Sequence, residues 1–208
     1  MTRAPRLMLI VEAADVADRH GVIAAALAAG VDTIQLRDRR TAGGPMLTAA
    51  LALRTLTRDH GAALVVNDRI DVARAAGADG VHLPAASFPI AVARQLLGPD
   101  AWIGRSTHAA AEAATAAAEG ADYVVLGPIF ATPSKRTFGA PLGLAALATT
   151  RIACPVVAIG GISPANVASL RSTGANGIAV IRAILDAPDP AAATHALRAA
   201  VDASLGAD

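Results

Sequence analysis

Cysteine occurs once, at Cys154, which excludes a disulfide framework and any cysteine-rich metal site. Aromatic residues supply only 2% of the chain, so alanine, not large rings, inflates the hydrophobic fraction of 54%. No apolar run reaches the ~18 residues a membrane helix needs. The longest, such as Val22–Ala29, stop near eight. The apolar stretch Leu7–Val11 is too short for a signal-peptide core, and Glu12 ends it. Net charge is +1, which leaves no global basic field for nucleic acid or an anionic membrane. Lysine is almost missing: of 18 basic residues only Lys135 is lysine, the rest being arginine. A chain with this habit keeps a lysine where a compact, flexible ammonium is needed, or by chance on a loop. These absences predict a soluble, cytoplasmic protein acting on small molecules, with neither nucleic acid nor membrane as partner. They are compatible with a homo-oligomer.

The 208 residues favour one large domain spanning 1–208. Short β-branched runs alternate with alanine-rich helical stretches. Strands are expected at Leu7–Val11, Thr33–Leu36, Leu64–Val66, Gly80–Leu83, Trp102–Gly104, Tyr123–Leu126, Val156–Ile159 and Gly177–Val180. Helices are expected near Ala14–Ala29, Pro45–His60, Ile70–Ala76, Ile90–Leu97, Ala110–Glu119, Leu144–Thr149, Asn166–Thr173 and Pro190–Leu205. Eight apolar strands joined through helices predict an α/β protein, a single (β/α)8 TIM barrel. A doubly wound open sheet is the rival, but its Gly-x-Gly-x-x-Gly turn after the first strand is missing.

In a barrel, function sits on the loops after the strand C-termini. Period-2 alternation sends Gln35, Arg37 and Arg39 to one side, a good receptor for a phosphorylated ligand. The bland reading pairs Arg39 and Arg40 with Asp38. Strand 3 ends in Asn67-Asp68-Arg69, where Asp68 can hold Mg²⁺, or Asp68 or Asp71 can cap a helix. His82 faces a ligand or is a hydrogen-bonded structural histidine, and Ser87 is a candidate helix cap. Ser106 or Thr107 binds substrate or caps the next helix. The Pro-rich loop after strand 6 carries Thr132, Ser134 and Lys135 and looks like a ligand flap. Gly160-Gly161 lets backbone approach a ligand, and with the helix start at Ile181-Arg182 it forms the usual barrel phosphate site.

Taken together, Gln35-x-Arg37-x-Arg39, Asn67-Asp68, Gly-Ala-Asp-Gly-Val-His at 77–82, Ser106-Thr107-His108, Gly127-Pro128-Ile129-Phe130, Thr132-x-Ser134-Lys135 and Ile159-Gly160-Gly161-Ile162 resemble the thiamine phosphate synthase family over nearly the whole chain. The resemblance implies a Mg²⁺-dependent transferase that joins hydroxymethylpyrimidine diphosphate to a thiazole phosphate and releases pyrophosphate. It implies that Gln35, Arg37, Arg39, Asn67, Ser106 and Lys135 surround the pyrimidine diphosphate. Arg37, Lys135 and Ser106 would be catalytic. Thr132, Ser134, Gly161, Ile181 and Arg182 would hold the thiazole phosphate, and Asp68 the metal.

Three positions depart from that pattern. Ser87 lies in the stretch where such synthases carry a second metal-binding aspartate, so its hydroxyl or a water takes that place. Arg39 stands for a lysine, and Arg182 for a serine. Leu83-Pro84-x-x-Ser87-Phe88 and Gly104-Arg105-Ser106-x-His108 also resemble the sister thiazole tautomerases, which aromatise a thiazole phosphate and would here draw on His82 or His108 as acid or base. A Schiff-base aldolase using Lys135 and a non-catalytic phosphate-binding relative are the remaining alternatives.

Overall fold

The computed structural model describes residues 4–132, 140–148 and 152–205. Its strands are β1 (Leu7–Val11), β2 (Thr33–Leu36), β3 (Ala63–Asn67), β4 (Gly80–Leu83), β5 (Trp102–Thr107), β6 (Tyr123–Leu126), β7 (Val156–Ile159) and β8 (Gly177–Val180). They pair in parallel in chain order, and β8 closes on β1 through Leu7 opposite Ile178. The closed order excludes the open sheet and is the expected (β/α)8 barrel. Nearly every strand residue is buried because one face meets helices and the other the barrel interior. Met8, Ile10, Val65, Tyr123, Val125, Val157 and Ala179 fill that interior.

Around the barrel run α1 (Ala13–Asp18), α2 (His20–Ala28), α3 (Gly43–Asp59), α4 (Ile70–Ala76), α5 (Ile90–Leu97), α6 (Ala110–Ala118), α7 (Ala145–Ala148), α8 (Arg182–Leu185) and α9 (Pro190–Ser204). No helix among the described residues is long and apolar enough to cross a membrane. Two helix expectations need correction. The single helix over 14–29 breaks at Arg19, whose backbone leaves the helical region (φ −126°). Its guanidinium there donates to Leu185 O at the end of α8 and to Asp186, the residue after it. The helix over 166–173 is only a 3₁₀ turn, Val167–Leu170. Hydroxyls compete with its backbone ladder: Ser169 donates to Asn166 O and Thr173 to Leu170 O, while Ser172 turns left-handed (φ 61°).

The barrel floor carries a fourfold pattern. A Gly-x-Asp or Gly-x-Asn triplet precedes each even strand, ending in Asp32, Asp79, Asp122 and Asn176. Each of these residues donates its backbone N–H to the first residue of the preceding strand, or one close to it, and its side chain accepts that residue's N–H. The four partners are Leu7, Leu64, Ile103 and Val156, with side-chain bonds of 3.1, 2.7, 2.7 and 2.8 Å. Arginines brace the three carboxylates: Arg198 on Asp32, Arg54 on Asp79 and Arg94 on Asp122. The same floor brings the start of β1 against the end of the last helix, since Arg6 donates to Leu205 O and pairs with Asp202.

Candidate active site

At the opposite end, the inward side chains near the strand C-termini form a polar ring on an otherwise apolar interior. Gln35 and Asn67 are buried on β2 and β3, and Gln35 Nε2 lies 3.5 Å from Asn67 Oδ1. His82 on β4 sits opposite Asn67 in register and is buried. Its Nδ1 is 3.2 Å from the Tyr123 hydroxyl and its Nε2 is 2.8 Å from Ser106 Oγ. Burial, then the charges of Arg37 and Arg105, push His82 down to about 3, so the ring is neutral. Burial likewise pushes the Tyr123 hydroxyl up, out of the range where it ionises. The Tyr123 ring occupies the space where a side chain at Gly104 would stand: a Cβ there would lie 2.2 Å from the Tyr123 Cζ.

Arg37 extends the β2 register into a cleft of about 190 Å³ shared with Glu12, Ile181 and Arg182. Burial and the neighbouring Arg39 lower its pKa, and Glu12 only partly offsets them. Neither Arg37 nor the exposed Arg39 makes an ion pair among the described residues, so positive charge is left uncompensated at the mouth. Asp38 does not neutralise it, because its carboxylate turns to the backbone N–H groups of Arg40 and Thr41 and to the Thr41 hydroxyl.

Asp68 and Ser87, the expected metal pair, meet: the Ser87 hydroxyl donates to Asp68 Oδ1. Asp68 is held with left-handed backbone (φ 64°), a strained conformation for a non-glycine residue. Its N–H donates to His82 O, tying it to β4. Capping explains neither residue, since α4 and α5 begin with no side-chain cap. Asp71 is taken by a two-pronged bond from Arg69. Among the described residues no group of three His, Cys, Asp or Glu gathers. One carboxylate with an adjacent hydroxyl still fits Mg²⁺, which takes one or two carboxylates and fills its shell with water and substrate phosphate.

The capping alternative also fails for strand 5: Ser106 binds His82, Thr107 binds Val125 O, and α6 has no side-chain cap. On the far side of the mouth, Arg182 donates to Thr132 at 3.1 Å, joining the ends of β8 and β6. Gly161 (φ 66°) serves loop packing: a Cβ there would lie 2.6 Å from Ala131 O and 2.8 Å from Phe130 Cβ. Ile129 N–H donates to Ile159 O and Phe130 N–H to Gly160 O, joining the segments after β6 and β7 through their backbones, while Asn166 Nδ2 donates to Gly161 O within the second loop. Ile181 is exposed beside the cleft. Ser134 and Lys135 lie outside the described residues.

Sequence reasoning missed three residues. Tyr123 shares inward parity with Gly104 and Ser106, and counting parity across β5 and β6 would have found it. Glu12, one residue past β1, faces Arg37. Arg105 points outward, yet is buried and donates to Pro84 O and Phe88 O. It thus brackets the segment that carries Ser87.

The sequence model of a family described as thiamine monophosphate synthase matches residues 7–184. A thiamine-phosphate synthase of Methanoculleus marisnigri is 53% identical over 83% of this chain and 83% of its own. A putative thiamine-phosphate synthase of Geobacter sulfurreducens is 45% identical over 88% of this chain and 91% of its own. Among solved structures, a thiamine phosphate pyrophosphorylase from Pyrococcus furiosus superposes with a TM-score of 0.85 at 36% identity, covering 97% of both chains. A 3-hexulose-6-phosphate synthase (TM-score 0.65, 23% identity) shares the fold.

Proposed function

The chain belongs to the thiamine monophosphate synthase family, and from that premise we propose that it couples hydroxymethylpyrimidine diphosphate to a thiazole phosphate, yielding thiamine phosphate and pyrophosphate. The observation that carries this reading is the pair of uncompensated guanidiniums, Arg37 and Arg39, beside the Asp68–Ser87 pair at one barrel mouth. Such a mouth suits a diphosphate that must leave with its charge neutralised. Gln35 and Asn67 orient the pyrimidine, and Ser106 and Lys135 reach the diphosphate. Thr132, Ser134, Gly161, Ile181 and Arg182 hold the thiazole phosphate. The C–O bond to diphosphate breaks, its electron pair leaving on oxygen, and the thiazole nitrogen lone pair forms the new C–N bond. Arg37, Arg39 and Lys135 stabilise the departing charge. The protein supplies no nucleophile, so catalysis is positioning and electrostatics. Asp68, with Ser87 beside it, would hold Mg²⁺, which when bound supplies further positive charge to the diphosphate.

A tautomerase would need a free acid or base here. His82 has both ring nitrogens engaged, which leaves that role to His108 Nε2 alone, its Nδ1 being bonded to Gly127 O. The test is one assay with protein, Mg²⁺, pyrimidine diphosphate and thiazole phosphate, reading thiamine phosphate and pyrophosphate together. Equal, Mg²⁺-dependent formation of both is expected, with a large loss in Asp68→Ala. No product while thiazole phosphate still binds would overturn the synthase reading. Undiminished activity in Asp68→Ala would overturn the metal assignment alone.

A further inference from the structure

Inside the barrel, Tyr123 and His82 join Ser106 in a chain of three side chains, and the coupling chemistry does not itself call for the first two. Its polarity follows from counting protons. The Tyr123 hydroxyl is fully buried, keeps its proton, and has one hydrogen-bond partner among the described residues, His82 Nδ1. A buried phenolic O–H with no acceptor would be strongly penalised, so it donates to Nδ1. A neutral imidazole that accepts at Nδ1 carries its hydrogen on Nε2. That hydrogen points at Ser106 Oγ, 2.8 Å away. The Ser106 oxygen is therefore an acceptor inside the barrel, and its own hydrogen is directed away from His82. The reverse polarity, with Ser106 donating to Nε2, would put a hydrogen on Nδ1 facing a phenol whose proton then has nowhere to go.

Register supports the same direction. His82 pairs with Gly104, and Gly104 with Tyr123, so the absence of a side chain at 104 lets the phenol reach across β5 to the imidazole. Ser106 lies one inward step nearer the mouth on β5 and is only half-buried, whereas Tyr123 and His82 are sealed. We propose that Tyr123 and His82 are positioning residues that commit Ser106 to act as a hydrogen-bond donor toward the mouth, where the departing diphosphate oxygen is the acceptor. The last clause rests on the coupling function above. The orientation of Ser106 does not.

Two measurements test it separately. In protein labelled with ¹⁵N-histidine, the wild-type His82 resonances are expected to show an unprotonated Nδ1 and a protonated Nε2 at neutral pH. The opposite tautomer would overturn the proposal whether or not the protein turns over. In the coupling assay, Tyr123→Phe is expected to lower kcat about tenfold, the size of one neutral hydrogen bond converted to a rate. The KM for thiazole phosphate should stay unchanged. In a Ser106→Ala background, Tyr123→Phe should have no further effect, because it acts only through Ser106. Fully additive losses in the two variants, with the fold intact by circular dichroism, would show that the phenol acts by another route. Absence of all product in the wild type would sink the coupling reading and the diphosphate acceptor with it, while the tautomer would still decide which way Ser106 donates.

Discussion

Asp79 offers a sharp test of how the barrel floor is held. Its carboxylate accepts from Leu64 N–H at 2.7 Å and from both terminal nitrogens of Arg54, at 2.6 and 3.3 Å. Arg54 Nε is buried with no partner among the described residues, so the guanidinium is held there by this one carboxylate. Asp79→Ala removes the backbone acceptor and strands the guanidinium. Charge-assisted bonds and a largely buried, deprived charge put the loss at roughly 2–5 kcal/mol. Asp79→Asn removes the charge but keeps an oxygen for Leu64 N–H. Asn176 already does the same at the fourth position, so this change should cost only about 1 kcal/mol. For a domain of this size each kcal/mol moves Tm by roughly 2–4 °C. Thermal melting should therefore separate the two variants by several degrees, with kcat/KM unaffected because the site is at the other end of the barrel. Equal losses in Asn and Ala would refute the backbone clasp and leave only the ion pair.

Four further outcomes are expected. Gly104→Ala forces a methyl into the Tyr123 ring and should lower stability by about 1–3 kcal/mol in thermal melts, with Tyr123→Phe giving no relief because the clash is with ring carbon as well as hydroxyl. Gly161→Ala, strained by its positive φ and by contact with Ala131 O, should raise the KM for thiazole phosphate more than that for the pyrimidine diphosphate in steady-state kinetics. Arg105→Ala unfastens the segment around Ser87, and a Mg²⁺ titration of the coupling rate should show a higher requirement for the ion. Burial, then Asp122, pushes the Cys154 thiol up to about 11. Alkylation by iodoacetamide should therefore be slow at pH 8 and climb steadily as pH rises toward that value, since the thiolate is the reactive form. A plateau near pH 8.5 would contradict it.

All eight strands were legible because each is a short, mainly apolar run, and most follow a helix-terminating glycine. Only their ends moved: β5 runs on to Thr107 because Ser106 and Thr107 find partners inside the sheet. The break at Arg19 was hidden, because beside its local pairing with Asp15 the side chain bonds to residues 166 and 167 positions away. For the site, alternation placed Gln35, Arg37 and Arg39 on the inward side, and the strand ends brought Asn67 and Ser106 to the same mouth. The Ser87–Asp68 bond is a tertiary contact between two loops that spacing alone cannot reveal. At Gly160 and Gly161 the preceding loop fills the space a side chain would take. Tyr123, expected only as the first residue of a strand, is buried core, and what the sequence concealed is the direction in which its proton points.

The ladder between β8 and β1 runs in parallel register like the other seven, and Arg6 adds a bond to Leu205 O at the end of the last helix. The barrel therefore has no natural seam. Joining residue 205 to residue 6 through a short linker and opening the chain on the floor, near Gly98, would leave each aspartate facing its own strand. The loops at the mouth would be untouched, and only the order of synthesis would change.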